Sequence, residues 1–295
     1  MSKKIMILGS SGLLGSSLVD FFVKNNINIL CHARDGSSKF NADLSDAKET
    51  LDMLKGAEPD VLINLAGLTN VDYCEENPQA AYVSNVKILE NLKAYLTPFK
   101  PTCHLIHIST DHVYDGIGDQ RIDEINIKNF YAFSKYAGEL AALSVGENVS
   151  VLRTNFFGLS LCSTRHSFTD WLYQSAIQKQ YIQVYDDVLF SPLSMRTLIK
   201  YINLILNSTA VGLVNLGSRN GMSKANFAFE FIQSLQLNTS FMSRVNSSDA
   251  QLLKTPRPLG MRMDSTSFEK TFNLQLPTLK DEINLIAGDY YEKTK

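Results

Sequence analysis

Opposite charges nearly cancel in this sequence. Lys and Arg total 28 against 30 Asp and Glu, a net charge of −2, so there is no field to recruit nucleic acid or an anionic membrane. Cysteine is scarce. Cys31, Cys74, Cys103 and Cys162 stand far apart with no C-x-x-C pair, which argues against a disulfide framework or thiolate metal site and predicts reduced thiols in a cytoplasmic protein. No run approaches the roughly 20 apolar residues of a membrane span. Met1 to Leu14 lacks an apolar stretch leading to a small-residue cleavage site. His104, His107 and His166 show no ligand spacing, so no metal site is expected. Repeats, low-complexity tracts and linkers are also missing. What these absences leave is a protein that acts on small molecules and holds any anionic one with a few placed cations or backbone dipoles.

What is present is a chain of 295 residues, 44% apolar, enough for a sizeable core. Short apolar runs alternate with amphipathic segments. Strands are predicted at Lys4–Leu8, Asn28–His32, Val61–Ala66, Leu105–Ser109 and Val149–Arg153, and helices after the first strand, at about Pro78–Leu96 and at Tyr131–Leu143. That alternation means βαβ units around a buried parallel sheet. Beyond Asn155 the pattern loosens. Helices are expected near 168–179, 194–207, 223–236 and 278–293, strands near 181–185 and 212–217, and a turn-rich loop at Asn246–Leu259. The fold class expected is α/β: a Rossmann-type, doubly wound parallel sheet over residues 1–155, with a returning segment near 184–212. A smaller mixed α/β domain would come from 156–183 and 213–295. The two are expected to pack tightly, with the binding site between them.

The first strand runs into Gly9-Ser10-Ser11-Gly12-Leu13-Leu14-Gly15. Gly9 permits the sharp turn, Gly12 lets a pyrophosphate approach the backbone, and Gly15 lets helix and strand pack closely. The helix start offers N–H groups and partial positive charge to phosphate. A dinucleotide is therefore the expected ligand, contacted by Gly9, Ser11, Gly12, Leu13, Leu14 and Gly15. After the second strand comes His32-Ala33-Arg34, where an acidic ribose-binding residue is usual. A guanidinium there suits a 2′-phosphate, which favours NADP(H), with NAD(H) as the alternative if Asp35 binds ribose instead. Asp43 and Leu44 are candidates beneath the adenine, although Asp43 equally suits capping a helix that begins near Ser45.

Tyr131 and Lys135 lie four residues apart on a predicted helix and so share a face. A nearby ammonium lowers a phenol's pKa toward the working range of acid–base catalysis. Ser109-Thr110-Asp111 falls at the end of the fourth strand, the end where open parallel sheets bind ligands.

Together, Gly9-x-x-Gly12-x-x-Gly15, Asn64-Leu65-Ala66-Gly67, Ser109-Thr110-Asp111 and Tyr131-x-x-x-Lys135 resemble the extended short-chain dehydrogenase/reductases. With Val71–Pro78, His107–Gly116, Leu152–Phe156 and Arg257–Arg262 they resemble more narrowly the dTDP-4-dehydrorhamnose reductase branch, over nearly the whole chain. The resemblance implies Tyr131 as proton donor, Lys135 as holder of the nicotinamide ribose, and Thr110 as the group polarising a keto oxygen. It places the nicotinamide near Ala66 and Gly67 with Asn85 supporting the pocket, and a nucleotide-diphospho sugar against Thr110, His112, Asn155, Phe156 and Arg257. The implied activity is NADP(H)-dependent reduction of a nucleotide-activated 4-keto-6-deoxy sugar for surface polysaccharide. A homodimer is a possible assembly. Two features depart from the pattern: His112 stands where close relatives carry tyrosine, and Ser16-Ser17 replaces a glutamate that holds a metal at a dimer contact in some bacterial relatives. Two other readings carry the same motifs, namely a sugar-nucleotide epimerase or dehydratase, and a non-catalytic NADP-binding regulatory subunit.

Overall fold

A computed structural model describes residues 3–249 and 254–293. Of the predicted loop Asn246–Leu259, residues 250–253 therefore lie outside the described part. The chain divides into two compact units.

The first unit takes residues up to Thr110, then Asn129–Arg153 and Ile199–Val214. Strands β1 (Ile5–Leu8), β2 (Ile29–His32), β3 (Val61–Asn64), β4 (His104–Ile108), β5 (Val149–Thr154) and β6 (Gly212–Leu216) form one sheet in the order β6-β5-β4-β3-β1-β2. The pairs β1–β2, β1–β3, β3–β4 and β4–β5 are parallel, with Leu8 opposite both His32 and Asn64, and Asn64 opposite His107. Every residue of β1 and β3 is buried, as expected where helices cover both faces of a parallel sheet. Beyond β2 the sheet ends in a single parallel bridge between His32 and Phe40. The sheet thus grows outward in both directions from β1, which makes the end of β1 a switch point where such sheets bind ligands.

Helix α1 (Leu13–Lys24) buries Leu14, Gly15, Leu18 and Phe22, a stripe at helical spacing. Helix α2 (Ala47–Ala57) is capped by Asp46, whose carboxylate accepts the Lys48 and Glu49 N–H groups at 2.8 Å. The helical path predicted from Pro78 contains a π-helical turn, Val83–Lys87, before α3 (Ile88–Phe99). Helix α4 (Phe130–Leu143) starts from Asn129, which accepts the Ala132 N–H at 2.9 Å. Leu54, Leu89, Leu92 and Leu96 pack on Met6, Leu8, Leu62 and Leu105 of the sheet.

The second unit takes Asp111–Lys128, Thr154–Leu198 and Asn215 onward. Two boundaries differ from the expected ones. Residues 111–128 leave the first unit, because Gly116 N–H bonds Gly260 O and Gln120 N–H bonds Arg262 O. The returning segment is 199–214, since Leu189–Phe190 pairs with Met222–Ser223 and Gly260–Met261 and so holds the preceding stretch in the second unit. Its helices are α5 (Phe168–Gln178), α6 (Met195–Leu206, which runs on into the first unit), α7 (Lys224–Ser234) and α8 (Leu279–Lys293). An aromatic core of Phe157, Phe190, Phe227, Phe231 and Tyr290 joins α5, α7 and α8.

Candidate active site

The glycine turn is clamped at the switch point. Gly9 and Ser10 N–H and the Ser10 hydroxyl all donate to His32 O, at 3.1, 3.0 and 2.9 Å. Gly9 has φ +80°, and a Cβ on it would stand 3.1 Å from Ala66 N. Conformation and space both require glycine there. At Gly15 a Cβ would overlap the Gly9 carbonyl oxygen, so α1 touches the turn. Gly12 is the N-cap of α1 and provides no side-chain cap, which aims the first N–H groups of a 12-residue helix at any phosphate brought to the turn. Ser11 is exposed and Leu13 half-buried, whereas the Leu14 side chain points into the core. The residues fit a dinucleotide diphosphate.

Beside the turn, Arg34 is exposed. Asp35 holds the Ser37 N–H at 2.9 Å and the Ser37 hydroxyl at 2.5 Å, and these bonds keep its carboxyl below the usual range. Asp43 accepts the Ser45 N–H at 2.9 Å and hydroxyl at 2.7 Å. The helix cap is Asp46 rather than Asp43, and α2 begins at Ala47. Leu44, expected as a cofactor contact, turns its side chain inward. Its side chain is core, 2% exposed, and its carbonyl accepts from Asn91 Nδ2 at 2.9 Å and Thr50 Oγ1 at 3.1 Å.

The ends of β3 and β4 carry the next layer. Asn64 Oδ1 accepts Ala66 N–H at 3.1 Å while its amide donates to His107 Nδ1 at 3.1 Å. Burial pushes His107 well down, so this imidazole is neutral. Asn85, in the π-helical turn, accepts Leu68 N–H at 2.8 Å and donates to Leu68 O at 3.0 Å and Ser134 Oγ at 2.9 Å. It ties the 67–68 backbone to α4, and Gly138 permits the approach because a Cβ there would overlap Asn85 O. A Cβ on Gly67 would lie 2.9 Å from Asn85 Oδ1 and 3.9 Å from Lys135 Nζ. The structure thus brings Gly9, Ala66, Gly67, Asn85 and Lys135 together as one surface.

Lys135 and Tyr131 are both buried on α4. Lys135 Nζ donates to Ile108 O, at the end of β4, at 2.8 Å. Burial lowers Lys135 to about 8, with Glu139 opposing. Tyr131 packs among Cys74, Ala81 and Phe130. Thr110 directly follows Ser109, whose own hydroxyl is committed to Glu139 Oε1 at 2.5 Å. A buried phenol, a buried ammonium and a threonine hydroxyl at a strand end are the parts needed to protonate an oxyanion.

In the second unit, Asn155 donates to Asp111 Oδ2 at 2.7 Å. Phe156 is half-buried while Phe157 fills the core, the alternation of a strand. Met222–Ser223 and Gly260–Met261 flank Leu189–Phe190, so Lys224, just after one strand, and Arg257, just before the other, emerge at the same sheet end. His112 is pushed down to about 3 by burial, then by Lys224 and Arg257. It is a neutral imidazole beside two cations.

The family model described as the RmlD substrate binding domain matches residues 3–291. The chain belongs to this family. Among RmlD-family relatives, dTDP-4-dehydrorhamnose reductase of Salmonella typhimurium is 26% identical over 288 residues, covering 92% of this chain and 93% of its own. Spore coat polysaccharide biosynthesis protein SpsK of Bacillus subtilis is 25% identical over 262 residues, covering 86% and 87%. The crystal structure of dTDP-4-dehydrorhamnose reductase from Bacillus anthracis in complex with NADP shares the fold, with a TM-score of 0.87, 20% identity, and coverage of 97% of this chain and 99% of that one.

Three site-adjacent residues were not singled out in the sequence reading. Lys224 gives no signal until strand pairing places it beside Arg257. Glu139 repeats the four-residue spacing of Tyr131 and Lys135. Arg153 hides in an apolar strand.

Proposed function

We propose that this RmlD-family chain is a reductase of a nucleotide-linked 4-keto-6-deoxy sugar, using NADP(H) in preference to NAD(H), in the supply of deoxysugar for polysaccharide. The observation that carries the reading is the buried Tyr131 and Lys135 on α4, with Lys135 Nζ held at the end of β4 and next to Gly67. The names of the relatives agree with it. No helix among the described residues is long and apolar enough to cross a membrane.

Gly9, Gly12, Gly15, Ala66 and Gly67 would hold the dinucleotide, and Arg34 its 2′-phosphate. When bound, the reduced nicotinamide supplies hydride to the carbonyl carbon. The chain's own residues manage the oxygen. Thr110 donates a hydrogen bond to it, and the Tyr131 phenol transfers its proton as negative charge develops. The Lys135 ammonium stabilises the resulting phenolate. In the second unit Arg257, Asn155, His112 and Phe156 would bind the nucleotide sugar.

Tyr131→Phe removes the proton and leaves the ring packing. The expected result is a kcat lower by about 10²–10⁴-fold with NADPH affinity nearly unchanged. Assays follow loss of NADPH absorbance on nucleotide-linked 4-keto sugars, with NADPH consumed in equal amount to product. Full activity of the variant, or turnover without net NADPH consumption, would refute the reading.

A further inference from the structure

Behind the Tyr131/Lys135 pair lies an ion pair sealed from water. Glu139 and Arg153 are each 1% exposed. Arg153 Nε donates to both Glu139 carboxylate oxygens, at 3.0 and 3.1 Å, and its Nη2 donates to Oε2 at 2.7 Å. Glu139 Oε1 also accepts the Ser109 hydroxyl at 2.5 Å, and Ser109 N–H in turn donates to Leu152 O at 2.7 Å. Three elements meet at one carboxylate: α4 through Glu139 itself, β5 through Arg153, and the end of β4 through Ser109.

A buried ion pair is weak evidence of stability, because desolvation of both charges offsets their attraction. Its position therefore calls for another explanation. Glu139 lies one helical turn beyond Lys135, as Lys135 lies one turn beyond Tyr131, so the three share a face of α4. Ser109 precedes Thr110. Through the Ser109 hydroxyl the pair therefore ties α4 to the strand end that carries Thr110, and its anion lies one helical turn from the catalytic cation.

We propose that Glu139, held by Arg153, is the positioning residue of the site: it fixes α4 against the ends of β4 and β5 and keeps Lys135 protonated. This rests on the reading of Tyr131 and Lys135 as the catalytic pair. The groups facing Lys135 are few. Glu139 on its own helix raises its proton affinity. Neutral His107 faces it from β4, Ile108 O accepts its hydrogen bond, and neutral Asn85 lies opposite across Gly67. Arg153 on β5 holds the Glu139 carboxylate in its charged form.

Loss of either partner removes the anion from beside Lys135, because the buried carboxylate keeps its charge only while Arg153 holds it, and the resulting shift of the alkaline limb separates this role from a merely structural one. Glu139→Gln keeps the shape but removes the anion. The alkaline limb of kcat/KM should move to lower pH by about one unit, with kcat/KM at pH 7 falling about twofold and at pH 8 about fivefold. Arg153→Met removes the cation that sustains the buried carboxylate, so Glu139 takes up a proton and the limb should again move to lower pH. NADPH affinity, followed by fluorescence titration, reports whether each variant keeps its cofactor surface. If Glu139→Gln does not fold, Arg153→Met and Arg153→Lys carry the test, the lysine variant restoring a limb near the parent's. Lowered melting temperatures with limbs unmoved in the folded variants would overturn the proposal. Should Tyr131→Phe retain activity, the catalytic pair itself would be misassigned. An inactive Tyr131→Phe with unmoved limbs would sink this inference alone.

Discussion

Gly15→Ala asks whether the turn after β1 is shaped for a phosphate-bearing ligand. A Cβ at this position would overlap the Gly9 carbonyl oxygen and stand 2.8 Å from the Ser10 carbonyl oxygen, whereas unstrained contacts lie at about 3.5–4.0 Å. Both atoms are backbone, in a turn fixed to His32 O by three hydrogen bonds, so no rotamer change relieves the clash. Helix and turn must separate by roughly 1 Å. Overpacking of this kind costs about 1–3 kcal/mol, against at most about 1 kcal/mol gained by replacing glycine with alanine in a helix. The net effect is destabilisation, seen as a melting temperature lower by a few degrees. The same separation draws the α1 N–H groups away from a diphosphate. Losing one charge-assisted hydrogen bond, about 1.5–3 kcal/mol, weakens NADPH by roughly 10- to 100-fold. Gly288→Ala is the control: it sits on the exposed side of α8 with nothing within 4 Å of the added carbon. That change should stabilise by about 0.5–1 kcal/mol and leave binding alone. Fluorescence titration with NADPH, together with thermal unfolding of both variants, makes the comparison. Parental NADPH affinity in folded Gly15→Ala would refute the cofactor role of the turn.

Arg34→Ala should weaken NADPH roughly tenfold or more, the loss of a charge-assisted contact, while NADH binding stays level. Equal losses for both coenzymes would remove Arg34 from the 2′-phosphate site. Lys135, lowered by burial to about 8, should make kcat/KM of the reductase fall as pH rises through about 8, and a profile flat to about pH 9.5 would contradict an essential ammonium. The same shift has a stability consequence. An unfolded lysine keeps its proton to about pH 10.4, so between these values the native state binds fewer protons and this group's contribution rises with pH. Among the thiols, Cys162 should react first with a disulfide reagent at neutral pH. Burial raises its pKa, but hydrogen bonds from Thr164 and Arg165 outweigh that and leave it lowered, whereas burial holds Cys74 at about 11 and Cys103 at about 12. First modification at Cys103 would contradict this order.

What was readable in the sequence follows from how local each signal is. The strand ending at Leu8, the glycine turn and the α4 face carrying Tyr131 and Lys135 are each written within about one turn or strand, and periodicity exposes them. Domain boundaries were less legible. Residues 111–128 join the second unit through backbone bonds to Gly260 and Arg262, partners more than a hundred positions away that leave no mark on the local pattern. Leu44 is hard to read for a related reason: an apolar residue near a ligand-binding motif looks the same whether its side chain faces ligand or core, and here the side chain is core while Asn91 and Thr50 hold its carbonyl from other elements.

Glu139 and Arg153 carry the argument furthest. Four-residue spacing puts Glu139 on the face of α4 that carries Tyr131 and Lys135, although the sequence pattern did not single it out. What spacing could not supply was the partner on β5, without which a carboxylate buried at 1% exposure would protonate and lose its charge. With Arg153 and the Ser109 hydroxyl bound to it, the anion is sustained inside the protein. The anion that offsets part of the burial of Lys135 is therefore sustained by a tertiary contact with a strand that contributes no group to the proton transfer itself.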